Sequence, residues 1–331
     1  MIGIVAPEGS PLSIAVIGAR NLDESLVFYR DIIGLTASDL VIWKGDAFET
    51  LWHLPKGSKA KAAFCELPGC EAGRILLLEF DAKHRKSIRP ENAARAYGLM
   101  NVNFYTDDIQ GDTAKLKETG YNFWSAPTFY EMSGAAGSPT EVIFDGPDSV
   151  AVNLVQLSTS DPSTTIGQMY AYTRKNGRTS TGFTPVVTSS HVARNISKAV
   201  AFYEKVLKCG VLIDAILERP EQNKFLKMPE GARTAVKFMQ GNHMFGKIAL
   251  SSPLNYECAD MTPDAVAPNI GYIAQAFIVK SLSAAQINCN QVGAKVYTPR
   301  MDIEVPGVGQ CSTLIVHNPG SNALQQMLQL T

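Results

Sequence analysis

A carboxylate at Glu79 and amides at Asn101, Asn103 and Asn153 are the side chains of this sequence best suited to proton chemistry. Glu79 nearly closes the apolar run Arg74-Ile75-Leu76-Leu77-Leu78-Glu79-Phe80, which reads as a strand with Leu77 and Glu79 on one face. By the same alternation Asn101, Asn103 and Tyr105 share a face of the following strand. A carboxylate in a concave, partly apolar site loses solvation, its pKa rises, and it becomes a general base near neutral pH. Amides beside it can donate to a developing enolate or oxyanion, and buried amides need partners in ligand or protein. The competing reading of Glu79 is an edge carboxylate paired with Arg74 or Arg95.

His53 follows Trp52 near the turn Pro55-Lys56-Gly57, where it is either a second acid or base at a pocket mouth or a surface residue at a strand end. The three tryptophans, Trp43, Trp52 and Trp124, all fall in the first half with Phe48, Phe129 and Tyr130. Trp52 and Tyr130 are the candidates for lining a pocket that takes a planar ligand, with core packing as the alternative.

The elements that must hold these residues come from an internal duplication. Asn21-Leu22-Asp23-Glu24-Ser25-Leu26-Val27-Phe28-Tyr29 returns as Asn195-Ile196-Ser197-Lys198-Ala199-Val200-Ala201-Phe202-Tyr203, each copy preceded by Ala-Arg. Apolar residues at helical spacing between an Asn start and a Gly stop, Gly34 or Gly210, predict one amphipathic helix in each copy. A strand precedes each helix and several follow it, with 47–52 among those read as strands. The order recurs at 12–82, 98–157, 185–252 and 269–329, so the chain consists of four units, with 158–184 as a Ser/Thr/Gly-rich linker. A unit of four strands and one helix cannot cover its own sheet face. Two units must therefore pair around a cavity, which predicts domains at 1–157 and 185–331.

Composition narrows the classes. The 331 residues suffice for two domains with conventional cores. Charged residues make up 18%, balance to a formal net charge of -1 and form no block of one sign, so nucleic acid and anionic membrane are poor partners. The N-terminus Met1-Ile2-Gly3-Ile4-Val5-Ala6-Pro7-Glu8 has no basic region followed by an apolar one, and the chain reads as soluble and cytoplasmic. The six cysteines lack Cys-x-x-Cys spacing and read as reduced structural thiols.

Asn21 to Ser25 leading into Phe28-Tyr29-Arg30-Asp31 and Gly34-Leu35, with the turns Phe144-Asp145-Gly146-Pro147-Asp148-Ser149 and His317-Asn318-Pro319-Gly320-Ser321-Asn322, resembles the vicinal oxygen chelate superfamily. That superfamily includes glyoxalase I, bleomycin-resistance proteins, methylmalonyl-CoA epimerase and extradiol dioxygenases. The resemblance covers about 12–157 and 185–329. It implies an α+β fold in which four βαβββ modules pair into two half-barrels. It also implies a divalent metal held by His, Gln or Glu on the first and last strands of paired units. Those slots fall on Ile14, Glu79, Asn101 and Asn153 in the first half and on Thr188, Ser252, Ala274 and Gln325 in the second. One carboxylate with two amides and an isoleucine does not hold Zn, Fe or Ni against water. His191 lies three residues from its slot and alternation turns it away, while His53, His84, His243 and His317 lack ligand spacing.

The resemblance places Glu79, Asn101, Asn103, Tyr105 and Asn153 in one cavity of the first half, with loops 131–139 and 216–231 shaping the pocket. The expected function is a metal-independent lyase or isomerase, without cofactor, acting through Glu79 on a small aromatic or carbonyl-containing substrate. A ring-cleaving dioxygenase with non-standard ligands for Fe, Zn or Mn is one alternative, and a binding or resistance protein without turnover is another. The expected partner is a small molecule, and unpaired sheet edges make a homodimer possible.

Overall fold

The computed structural model describes residues 3–90, 93–132 and 136–331. Met1 and Ile2 of the N-terminal reading and part of loop 131–139 lie outside the described residues. The first unit comprises β1 (Ile14–Gly18), α1 (Leu22–Leu26) continued by a π-helical turn at Val27–Ile32, β2 (Thr36–Ala37), β3 (Val41–Lys44), α2 (Asp46–Trp52), β4 (Lys59–Glu66) and β5 (Arg74–Phe80). The second comprises β6 (Ala96–Tyr105), α3 (Ile109–Glu118), β7 (Asn122–Phe123), β8 (Thr128–Phe129), β9 (Pro139–Asp145) and β10 (Ala151–Leu157). After α4 (Thr165–Thr173) the third has β11 (Thr188–Val192), α5 (Ile196–Lys205), β12 (Gly210–Leu217), α6 (Pro220–Phe225), β13 (Thr234–Gln240) and β14 (Lys247–Pro253). A short β15 (Ala259–Asp260) leads to the fourth, with β16 (Gly271–Ile278), α7 (Leu282–Gln291), β17 (Lys295–Val305), β18 (Gly309–His317) and β19 (Leu324–Leu330).

The duplicated helix starts behave as their residues dictate. Asn21 accepts from the amides of Asp23 and Glu24, and Asn195 accepts from that of Lys198, satisfying N–H groups that the helix leaves free. Two expectations are corrected. Residues 46–52 form a helix, because Phe48, Leu51 and Trp52 have i, i+3, i+4 spacing and all three are buried on one face. The linker is not structureless, since Thr164 caps α4 and Ile166 and Met169 of that helix are buried.

The sheet order departs from the expected domains. One sheet runs β17-β18-β19-β16-β1-β5-β4-β2, so the first unit pairs with the fourth; the other runs β12-β13-β14-β11-β6-β10-β9-β7, so the second pairs with the third. The joining pairs are antiparallel, β1 on β16 with Ala15 opposite Gln275, and β6 on β11 with Val102 opposite Ser189. Neither 1–157 nor 185–331 closes a half-barrel on itself. The first strands offer the same kind of free edge in all four units, so alternation within a strand does not choose among partners.

One core joins the two sheets. Phe28 and Tyr29 of the first unit, Phe104 and Phe144 of the second, Phe202 and Tyr203 of the third and Phe277 and Met327 of the fourth belong to one buried cluster. Helices α1, α3, α5 and α7 thus lie on the sheet faces turned toward this shared core, and the other face of each sheet is concave. His191 is on the helix side, against Tyr203 at 5.9 Å between rings. All six cysteines are unpaired. Among the described residues no helix is long and apolar enough to cross a membrane.

Candidate functional site

The two concave faces differ in what fills them. On the sheet of units one and four, Ile14, Leu76, Leu78, Ala274 and Leu324 form an apolar floor, and Phe48 and Trp52 of α2 pack onto it with Trp43. Trp52 is fully buried in this plug. In the other half-barrel the corresponding helix is α6, which is shorter and brings only Phe225 and the following Leu226 to the wall. A cavity of about 60 Å³ remains there. That is room for roughly four to six water-sized groups.

The floor of this cavity is polar and its walls are apolar. Asn101 and Asn103 alternate on β6, and Asn153 lies opposite Asn103 on the parallel β10. Ser190 on β11 stands opposite Asn101 across the antiparallel junction. The Asn101 amide donates to Asn103 Oδ1 at 2.5 Å and to Ser190 Oγ at 3.2 Å. Ile143, Leu217, Phe225, Leu226, Val236 and Phe238 supply the walls.

Two charged groups face the same space. Glu141 on β9 accepts from the Tyr130 hydroxyl at Oε1, 2.6 Å, and from Asn153 Nδ2 at Oε2, 2.6 Å. Protein surrounds Glu141, although part of its surface stays open to the cavity. Burial raises its pKa above the usual carboxylate value, and the two hydrogen bonds, which favour the charged form, offset that only in part. Asn153 Oδ1 is buried with no hydrogen-bond partner. The ring of Tyr130 stacks on Phe225, 5.4 Å between centroids and 24° between planes, which holds its hydroxyl toward Glu141. Arg95, just before β6, is buried and donates from Nη2 to Ser251 Oγ at 2.5 Å.

Of the residues singled out in the sequence, Asn101, Asn103, Asn153 and Tyr130 line this one cavity. The others lie elsewhere. Tyr105 follows Asn103 on the same face but packs beyond the cavity, with its hydroxyl on Met169 Sδ at 3.2 Å and its ring 6.5 Å from that of Phe245. Trp52 belongs to the plug of the other half-barrel. His53 is exposed, terminates α2 in a left-handed conformation and stacks on Tyr297 at 4.1 Å.

Glu79 sits on the other sheet and on its helix side, which corrects its reading as the base of the cavity. Its Oε2 accepts from the Leu22 amide at 2.8 Å and its Oε1 pairs with Lys61 at 3.3 Å. It is a partner for the start of α1. Leu78 and Phe80 face the concave side instead. The same one-residue slip affects two further last-strand positions: Ser251, not Ser252, lines the cavity, and Gln325 points to Tyr203 on the helix side at 3.0 Å. The first-strand positions Ile14, Asn101 and Ala274 all take the concave face.

The sequence reading does not single out Glu141, Arg95 or Ser251 for this cavity, whereas Ser190 occupies one of the second-half positions that could complete it from one side. Glu141 had a readable signal, because Ile143 pairs with Asn153 across the β9–β10 turn and alternation then turns Glu141 to the same face. The donors present do not fit a catalytic metal. The cavity offers amides, hydroxyls and one carboxylate whose two oxygens are already hydrogen-bonded, with no His or Cys, and the opposite concave face offers aliphatic carbons. Among the described residues no three His, Cys, Asp or Glu side chains gather as a ligand set.

Residues 12–154 match the family model described as Glyoxalase/Bleomycin resistance protein/Dioxygenase superfamily. Glyoxalase I from Zea mays aligns over 97% of this chain and 92% of its own, with a TM-score of 0.61 at 14% identity. A putative dioxygenase from Bacillus subtilis subsp. subtilis str. 168 aligns over 98% and 86%, with a TM-score of 0.56 at 11% identity. At such identities the likeness is one of fold. No curated protein sequence matches the chain.

Proposed function

We propose that this chain, whose residues 12–154 match the glyoxalase/bleomycin resistance protein/dioxygenase superfamily, is a metal-independent lyase or isomerase that moves a proton with Glu141. The observation that carries this reading is the Glu141 carboxyl, enclosed by protein, raised in pKa and facing a small cavity with a polar floor. Each of its oxygens accepts one hydrogen bond, which leaves a lone pair on each for a substrate proton. In the forward step Glu141 takes a proton from the carbon next to a substrate carbonyl. The C–H electron pair moves into an enolate, whose oxygen meets the donors of the floor. With a β,γ-unsaturated substrate, return of the proton to the γ-carbon completes an isomerisation, and departure of a β-substituent with its bonding electron pair completes an elimination. The apolar wall of Phe225, Val236 and Phe238 suits the carbon skeleton of a small carbonyl-containing or aromatic substrate.

A second reading, a binding protein without turnover, draws on the two hydrogen bonds to Glu141, which hold it as a fixed acceptor as well as they hold a base. Ring cleavage with iron would need ligands that neither concave face supplies. The deciding experiment incubates small methyl ketones and 2-oxo acids with the protein in D₂O and follows C–H loss by proton NMR. Catalysed exchange that falls about 10²- to 10⁴-fold in Glu141→Gln is the expected result. Binding without exchange gives the second reading. Exchange untouched by Glu141→Gln, or abolished by a chelator and restored by iron or manganese, overturns the proposal.

A further inference from the structure

The cavity that holds Glu141 also holds a cation that has no ion-pair partner among the described residues. Arg95 is 8% exposed, and its one hydrogen bond among the described residues is the bond from Nη2 to the neutral hydroxyl of Ser251. Its Nε–H is buried without an acceptor among the described residues. Among the described residues no carboxylate lies within ion-pair distance of it. Glu141 faces the same cavity, but its oxygens bond Tyr130 and Asn153 instead. A guanidinium held out of water is costly unless an anion accompanies it.

We infer that Arg95 anchors the carboxylate of a small monoanionic ligand, which makes the substrate class short-chain carboxylic acids, 2-oxo acids among them. The volume of about 60 Å³ admits a handful of heavy atoms. The single positive charge of Arg95 balances a monoanion, whereas a dianion such as a phosphate ester would leave an extra negative charge beside Glu141. Bound in this way, the carboxylate end lies at Arg95 and Ser251. The carbon skeleton then runs over Asn101 and Asn103 toward Glu141. The inference deepens the proton-transfer reading of the same cavity, and its test is one of binding alone.

Dissociation constants are measured by ¹H–¹⁵N NMR titration with acetate, propanoate, butanoate and 2-oxobutanoate, with the primary amide of each, and with inorganic phosphate. The arginine Nε–H signals are followed in the same spectra. The expected result is that at least one carboxylate binds about 10- to 100-fold more tightly than its amide and shifts the Arg95 Nε–H signal. Arg95→Met then removes the preference, Arg95→Lys keeps part of it, and Glu141→Gln keeps it. Should Arg95→Met fail to fold, the wild-type comparison with Arg95→Lys carries the test. Equal binding of every acid and its amide, a preference that survives Arg95→Met, or phosphate bound more tightly than any carboxylate overturns the inference. A carboxylate preference without C–H exchange leaves the anchor standing and removes the proton-transfer reading. Exchange without the preference does the reverse.

Discussion

Lys247 opens β14 one pleat before Ala249, on the face that also carries Ser251 into the cavity. Its ammonium is buried, donates to the Met244 carbonyl and lies 5.6 Å above the ring of Tyr105. Burial lowers its pKa from the usual 10.5 to about 7. The unfolded chain keeps this proton up to about pH 10.5, so folding releases it between about 7 and 10.5 and stability rises with pH across that window. Below pH 7 the penalty is fully present. Replacing the amine by an uncharged thioether one atom shorter, Lys247→Met, is therefore expected to stabilise the protein by about 2–4 kcal/mol near pH 6.5, less the unpaired Met244 carbonyl. At pH 9.5 the gain should be much smaller. Urea unfolding of both proteins at the two pH values measures it, and a gain independent of pH would show that packing alone is responsible.

At the scale of elements, the start of α1 explains what Glu79 does. Asn21 accepts from two of the first free amides, and Glu79, reaching across from β5, accepts from that of Leu22. A carboxylate is favoured there by the partial positive charge of the helix N-terminus. Glu79→Ala should cost about 1 kcal/mol in denaturant unfolding and leave C–H exchange and carboxylate binding unchanged. Loss of exchange with stability intact would return Glu79 to the chemistry. The repeated helix starts were legible because Asn, a helical apolar stripe and a closing Gly are local signals. The polar floor was legible for a similar reason, since alternation along β6 and β10 puts Asn101, Asn103 and Asn153 on one face. Helix α2 is hard to tell from a strand because seven residues with only four apolar side chains carry little periodicity, and what separates the two is the spacing of Phe48, Leu51 and Trp52. Glu79, Ser252 and Gln325 were misplaced because a position counted through a loop carries a one-residue error, and in a strand that error reverses the face.

At the scale of the whole molecule, the choice of partner decides where the site is. Pairing the second unit with the third gathers Asn101, Asn103, Glu141 and Asn153 with Ser190 and Ser251, whereas the expected pairing would have faced them with Glu79. Nothing local to a strand carries that choice. It rests on two junctions between distant segments, β1 with β16 and β6 with β11, and on one core to which all four units contribute. Cut in the turn after α4, the chain gives fragments 1–175 and 176–331, each holding one half of both sheets and part of that core. Each fragment alone leaves β1 and β6, or β11 and β16, without the neighbour found in the intact protein. Separately they should therefore lack fixed near-ultraviolet dichroism and self-associate, and on mixing they should form a 1:1 complex that recovers the signal and the ligand preference of the whole chain. Sedimentation of the mixture tests this. Two compact monomers that ignore each other would mean that units within one half can pair, so that covalent connection rather than the strand edges selects the arrangement that builds the cavity.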